Sequence, residues 1–194
     1  MGTGRLETFA DGVFAIAITL LVLEIPHPEV DEHLGSELVD QWPAYLAYVL
    51  SFVTIGIIWV NHHALMVQFA RADRAFLFIN VFFLMCVAFI PFPTALIADD
   101  LGSETAMVTY GLTLSATALM FNVFWHYGRL RLLRADADPR EVRGITRSYI
   151  PGVFIYAGAT AVSSWNAEVG FIIYSVLAAV YVVSGSLWAG RDAD

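Results

Sequence analysis

Arg5-Leu-Glu-Thr-Phe9-Ala10-Asp11-Gly12-Val-Phe-Ala-Ile16-Ala-Ile-Thr19-Leu20-Leu-Val-Leu23-Glu24 decides the fold class. From Gly12 to Leu23 it holds no charged residue, and as a helix rising 1.5 Å per residue the segment 6–25 reaches about 30 Å, the thickness of a hydrocarbon core. Glu7 and Asp11 stand where a secretory leader would carry basic residues, and no small-residue cleavage site follows Leu23, so the segment is expected to be retained as a membrane span.

Five further apolar runs follow, at residues 44–70, 75–98, 106–127, 148–165 and 169–189. The chain of 194 residues is 58% apolar and 14% charged, against about 45 to 50% and 25% in soluble domains. Six spans of about 20 residues use about 120 residues and leave only loops. A separate catalytic or nucleic-acid-binding domain is thereby excluded, and a net charge of -8 argues against nucleic acid as a partner. The expected fold is all-α: one polytopic six-helix membrane domain occupying 1–194.

Charge segregation orients it. The linkers after spans one, three and five hold Glu24, Glu29, Asp31, Glu32, Glu37, Asp40, Asp99, Asp100, Glu104 and Glu168, ten acids without an arginine. Arg5, Arg71, Arg74, Arg129, Arg131, Arg134, Arg140, Arg143, Arg147 and Arg191 fall on the opposite side. Under the positive-inside rule both termini are cytoplasmic in the cell membrane, and a wrong span count would have mixed the two sets. Trp42, Trp165, Trp125 and Trp188 fall near span ends, as interfacial tryptophans do, with Trp59 the exception. Pro91 and Pro93 predict a kink or early stop in span three. Asp138-Pro139-Arg140-Glu141 reads as an N-cap, a first-turn proline and a capping-box carboxylate, predicting a short basic helix on the inner leaflet. The arginines of 129–147 serve there as an orienting cluster or as a site for anionic lipid. Cys86 stands alone in an apolar run, cannot form an intrachain disulfide and reads as lipid-facing or core packing.

An ionisable group in the hydrocarbon costs about 2.5 to 3.5 kcal/mol and calls for a partner. Counted from the cytoplasmic ends of their spans, Asp11 lies about 7.5 Å deep and His62 and His63 about 10 Å deep, with Asn61 and Asn80 near the same level. Trp59 is one turn deeper and Asp73 is at the surface. The economical arrangement is one polar cluster of Asp11, Asn61, His62 or His63, and Asn80, with Arg5 joining or flanking it. Three roles are open to it: interhelical hydrogen bonding, a proton or ion pathway, or metal binding. The last is disfavoured because adjacent histidines project about 100° apart on a helix. Span one is apolar all round, as a helix enclosed by protein would be. On its wheel Ile16, Leu20 and Leu23 share one sector, Thr19 lies at its edge, and Asp11 is about 140° from Ile16.

Arg5, Phe9 and Asp11, leading into Gly12 through Glu24, resemble the first helix of the transmembrane protein 175 family of potassium channels, whose motif is Arg-x-x-x-Phe-Ser-Asp; Ala10 stands in place of the serine. Trp59-Val-Asn61-His62-His63, Asp73 with Asn80, and Pro91-Phe-Pro93 are similar to the prokaryotic members. The resemblance implies a homotetramer with a pore lined by the first helices. It also implies a modestly potassium-selective cation channel with no cofactor beyond the permeating potassium ions. Its constriction and gate would be the apolar side chains of Ile16, Leu20 and Leu23 beside the Thr19 hydroxyl. Arg5, Phe9, Asp11, Trp59, Asn61, His62, His63, Asp73 and Asn80 would support that helix and not ligate ions. The chain lacks a TVGYG loop for a carbonyl filter. The competing classes are a proton-linked secondary transporter relaying through Asp11 and His62 or His63, and a structural or sensory membrane protein without flux.

Overall fold

The computed structural model describes residues 2–28 and 33–189, with side chains through 183. Among these residues the regular structure is helical, apart from one isolated antiparallel bridge between Phe69 and Leu133. α1 (Gly4–Leu20) tightens into a 3-10 turn, Leu21–Glu24, before Pro26 ends it. A short helix, α2 (Leu34–Asp40), leads into α3 (Trp42–Met66), which carries Pro43 in its first turn, where the missing N–H costs no hydrogen bond. α4 (Arg74–Phe89) and α5 (Pro91–Asp99) form one broken rod. Neither Pro91 nor Pro93 can donate to the preceding turn, Ile90 N–H falls back to Val87 O at 3.1 Å, and the expected break occurs there.

α6 (Glu104–Arg131) starts on Ser103, whose hydroxyl accepts from Ala106 N–H, and runs 28 residues through the centre, against α4, α5, α7 and α8. α7 (Pro139–Ser163) and α8 (Ala167–Ala189) complete the chain. Among the described residues four helical stretches are long and apolar enough to cross a membrane: Gly4–Glu24, Trp42–Met66, Arg74–Asp99 and Glu104–Arg131. Ala167–Val183 is apolar but shorter, and α7 begins among Arg140, Glu141, Arg143 and Arg147. The chain is a membrane protein.

The separate basic helix expected around 138–147 does not form. Asp138 caps as anticipated, accepting from Arg140 N–H at 2.7 Å, but nothing stops the helix before Ser163, and it continues as α7 with Pro151 inside it. The capping box is also absent: Glu141 accepts from the Gln68 side chain at 2.8 Å, so its charge ties α7 to the α3–α4 turn instead. Span two ends at Met66 and not at residue 70, because Ala70 N–H donates to Leu132 O and Arg134 N–H to Gln68 O, pairing this turn with the one after α6. Glu29, Asp31, Glu32 and Arg191 of the charge pattern lie outside the described residues, as does the Trp188 side chain.

The core is aromatic toward the end that carries the arginines. Phe69, Phe76, Phe83, Phe124 and Trp125 are buried to 3% exposure or less, with Phe76 and Phe124 stacked at 4.3 Å. Trp125 is therefore no interfacial anchor: it is wholly buried, its ring N–H donating to Thr146 Oγ1 at 3.0 Å. Trp42 and Trp165 are exposed as expected. Close approach here needs glycine, since a Cβ at Gly128 would lie 2.5 Å from the Phe69 ring. Toward the other end the packing turns polar: the Ser51 hydroxyl lies 2.8 Å from Thr94 Oγ1 and 3.3 Å from Tyr110 Oη, linking α3, α5 and α6.

Candidate pore helix and its supports

α1 has two faces. Leu6, Ala10, Phe14 and Ala17, at spacings of three and four, are buried against α3 and α4, and Leu21 in the following 3-10 turn is buried where that turn meets α5 and α3. Phe14 enters the aromatic core, 5.7 Å from the His62 ring and 6.2 Å from Phe83. The opposite face carries Arg5, Phe9, Gly12, Ile16, Leu20 and Leu23, all exposed, with Ile16 at 61% and Leu23 at 65%. Within this chain α1 is thus half-covered and not enclosed. Thr19 is also exposed, and its hydroxyl donates to Ile16 O at 2.9 Å, so its proton is used within the helix and its lone pairs face outward. Ala10, which replaces the motif serine, is wholly buried, and a methyl group fills that packing position without a polar demand.

The single polar cluster expected at this depth is three separate pairs. Asp11 Oδ1 accepts from Trp59 Nε1–H at 2.8 Å, joining α1 to α3. His62 Nε2 lies 2.9 Å from Asn80 Oδ1, joining α3 to α4, and its ring stacks on Phe83 at 5.5 Å and Phe124 at 5.3 Å. Asn61 Oδ1 accepts from the Tyr149 hydroxyl at 3.2 Å, joining α3 to α7. The reason is angular. Successive residues on α3 turn by about 100°, so Asn61, His62 and His63 address different neighbours, while Trp59, one turn before His63, shares its side. His63 is exposed beside Trp59, with ring centroids 6.3 Å apart. Arg5 is exposed and pairs with no carboxylate, Arg134–Asp136 being the one salt bridge among the described residues. Asp11 therefore bonds span two through Trp59 and makes no hydrogen bond to His62, His63 or Asn80.

Asp73 belongs elsewhere. It caps α4, accepting from Phe76 N–H at 2.9 Å on Oδ1 and from the Tyr127 hydroxyl at 2.8 Å on Oδ2. The Phe76 N–H, with help from Tyr127 and Arg131, holds its carboxyl below the ordinary value of 3.8. The Ser51–Thr94–Tyr110 contact and the Gln68–Glu141 bond escaped sequence reasoning. Hydroxyls inside apolar helices satisfy themselves on their own backbone often enough to carry no signal of a partner.

The segment 5–91 matches the family model described as endosomal/lysosomal potassium channel TMEM175. A potassium channel of Chamaesiphon minutus is 46% identical over 175 residues, covering 84% of this chain and 86% of that one. A potassium channel of Streptomyces collinus is 40% identical, covering 92% and 91%. The crystal structure of a lysosomal potassium-selective channel TMEM175 homologue from Chamaesiphon minutus superposes with a TM-score of 0.85 at 41% identity, over 94% of this chain and 97% of that one. Since matches of this identity extend over nearly the whole chain and its fold, the chain belongs to the TMEM175 family, a family of channels and not of enzymes.

Proposed function

We propose that the protein is a potassium-permeable, modestly potassium-selective cation channel of the cell membrane, formed by four copies with α1 at the axis. The carrying observation is the exposed stripe of Ile16, Leu20 and Leu23 on a helix whose other face is locked into the core. The potassium-channel names of the relatives that match the whole chain support the same reading. In this reading all six long rods span the bilayer, α7 and α8 included, and both termini are cytoplasmic. The division of acids and arginines between alternate linkers supports that orientation.

The mechanism follows from side-chain chemistry. Acidic outer linkers concentrate cations at the mouth, an effect that salt screens over about 8 to 10 Å. Four Ile16 side chains make the narrowest ring, because a β-branched residue is stiff at χ1 and holds an aperture without polar ligands. Ions shed water to cross it, and potassium is favoured because it dehydrates more readily than sodium. When narrow, the same apolar ring, continued by Leu20 and Leu23, closes by dewetting. Thr19 offers hydroxyl lone pairs at its edge. Asp11 and Trp59 set the tilt of α1 on α3, and Phe14 and His62 anchor its back.

The test is flux. Liposomes containing only this protein should take up potassium down a pure potassium gradient, with sodium uptake slower and no proton gradient required. Uptake that appears only with a coupled proton gradient would replace the channel by a transporter. A purified conducting species that is a monomer or dimer by native mass spectrometry would remove the fourfold pore.

A further inference from the structure

The arginines of 129–147 do not form one surface in the fold. Arg134 pairs with Asp136 at 3.1 Å, and Arg140, Arg143 and Arg147 lie along α7. Arg131, the last residue of α6, is carried to the α3–α4 turn, where the backbone bonds Ala70 N–H to Leu132 O, 2.9 Å, and Arg134 N–H to Gln68 O, 3.0 Å, pin the two turns side by side. Between them is an open cleft of about 730 Å³ lined by Arg71, Asp73, Arg74, Leu77 and Arg131.

Its charge is only partly compensated. Three arginines line it with one carboxylate, Asp73, which accepts from Phe76 N–H and the Tyr127 hydroxyl and feels the charge of Arg131. None of the three arginines has a carboxylate within salt-bridge distance among the described residues. Two are restrained by aromatic rings: Arg74 Cζ lies 5.9 Å from the Phe78 centroid and Arg131 Cζ 5.5 Å from that of Tyr127. One turn further along α4 the surface becomes apolar, with Leu77 in the cleft wall and Phe78 54% exposed. Planar guanidinium forks match phosphate oxygens, and an apolar strip beside them matches an acyl chain.

We infer that the cleft between the α3–α4 turn and the end of α6 binds an anionic phospholipid, its phosphate held by Arg71, Arg74 and Arg131 and its acyl chain lying along Leu77 and Phe78. The inference rests on the topology proposed above only for the leaflet that supplies the lipid. It replaces a diffuse basic surface by a specific receptor, and it ties a bound lipid to the cap of α4, since Asp73 belongs to both.

The experiment uses the full chain, stripped of lipid in mild detergent and offered phosphatidylglycerol, phosphatidylcholine or sodium phosphate. Native mass spectrometry counts retained lipid and thermal unfolding follows each addition. Phosphatidylglycerol should be retained and raise the unfolding temperature while the other two do neither. Each arginine changed to glutamine should weaken retention about fivefold, and R71Q/R74Q/R131Q by about a hundredfold. R140Q/R143Q/R147Q removes the same charge from α7 and should retain the lipid. Equal retention of both lipids, equal loss in the α7 variant, or stabilisation by inorganic phosphate without lipid retention would each overturn the inference. Should the cleft triple variant not fold, Arg71→Gln alone, at an exposed turn position, decides the matter. No step reads flux, so a protein that conducts without retaining phosphatidylglycerol overturns the cleft alone, and one that retains it without conducting overturns the channel alone.

Discussion

α6 and α1 are both long and apolar enough to cross a membrane, yet over an apolar stretch of 18 residues in each, 44% is buried within the chain in α6 and 28% in α1 with its 3-10 turn. α6 meets four other helices, and its Tyr110, Phe124 and Trp125 are wholly buried. α1 fixes one stripe in the core and leaves the other face uncovered. The difference teaches where each helix spends its specificity: α6 holds the chain together, whereas α1 leaves one face uncovered, the face to which the pore role is proposed. Substitutions along the two helices should therefore separate stability from conduction.

The largest effect is expected in the α6 core. Trp125→Ala removes a wholly buried indole and should cost about 3 to 5 kcal/mol, seen as a lower unfolding temperature and aggregation in size-exclusion chromatography. A Trp125→Ala protein as stable as wild type would erase the contrast.

Next is the joint between α1 and the bundle. Asp11→Ala should cost about 1 to 3 kcal/mol, first as poorer assembly or altered gating. Trp59→Phe removes the same hydrogen bond, so the double variant should be little worse than either single one. Additive losses in that cycle would mean the two residues act separately.

A smaller, pH-dependent effect is expected at the α4 cap. The Asp73 carboxyl is held below its ordinary value of 3.8 in the fold, chiefly by Phe76 N–H. The stabilisation is thus complete above that value and disappears as pH falls through the lower folded value. The gap in unfolding temperature between wild type and Asp73→Asn should be constant from pH 7 to 5 and close below pH 4. A gap that closes near neutrality would assign it to another group.

The smallest effect on stability, within about 0.5 kcal/mol, is expected for Ile16→Asn on the open face of α1, and it should instead change ion discrimination. A hydratable amide of similar bulk lowers the dehydration cost for both ions, so sodium conductance should rise relative to potassium. Leu20 and Leu23 variants should mainly change current size. Reversal potentials under bi-ionic conditions read this directly; unchanged selectivity in Ile16→Asn with a shift at Thr19 would rotate the filter one face round the helix.

Much of this architecture was legible in order along the chain. Hydrophobic runs marked the long helices to within a few residues except at the start of α7, nine residues before its run, where Asp138 marked a helix start instead; Pro91 and Pro93 marked the break, because each is a local effect of propensity or backbone chemistry. The sector shared by Ile16, Leu20 and Leu23 was legible too, since period and wheel are properties of a single helix, but that it stays uncovered within the chain was not. The supports were less so. Of the residues expected near one depth, His62 and Asn80 do meet, but which neighbour each polar residue addresses depends on the rotation of α3 against three helices at once.

By itself the sequence determined an all-helical membrane protein, the segregation of its charges and the sector that Ile16, Leu20 and Leu23 share on the first helix, because hydrophobic length, net charge and angular period are additive along a chain. Only the tertiary structure decided that Asp11 bonds Trp59, that His62 is a core residue stacked between phenylalanines, and that Arg131 stands beside Arg71 and Arg74. Those pairings join residues far apart in sequence, and they depend on helix rotation and on the close approach permitted at Gly128, which no local preference encodes.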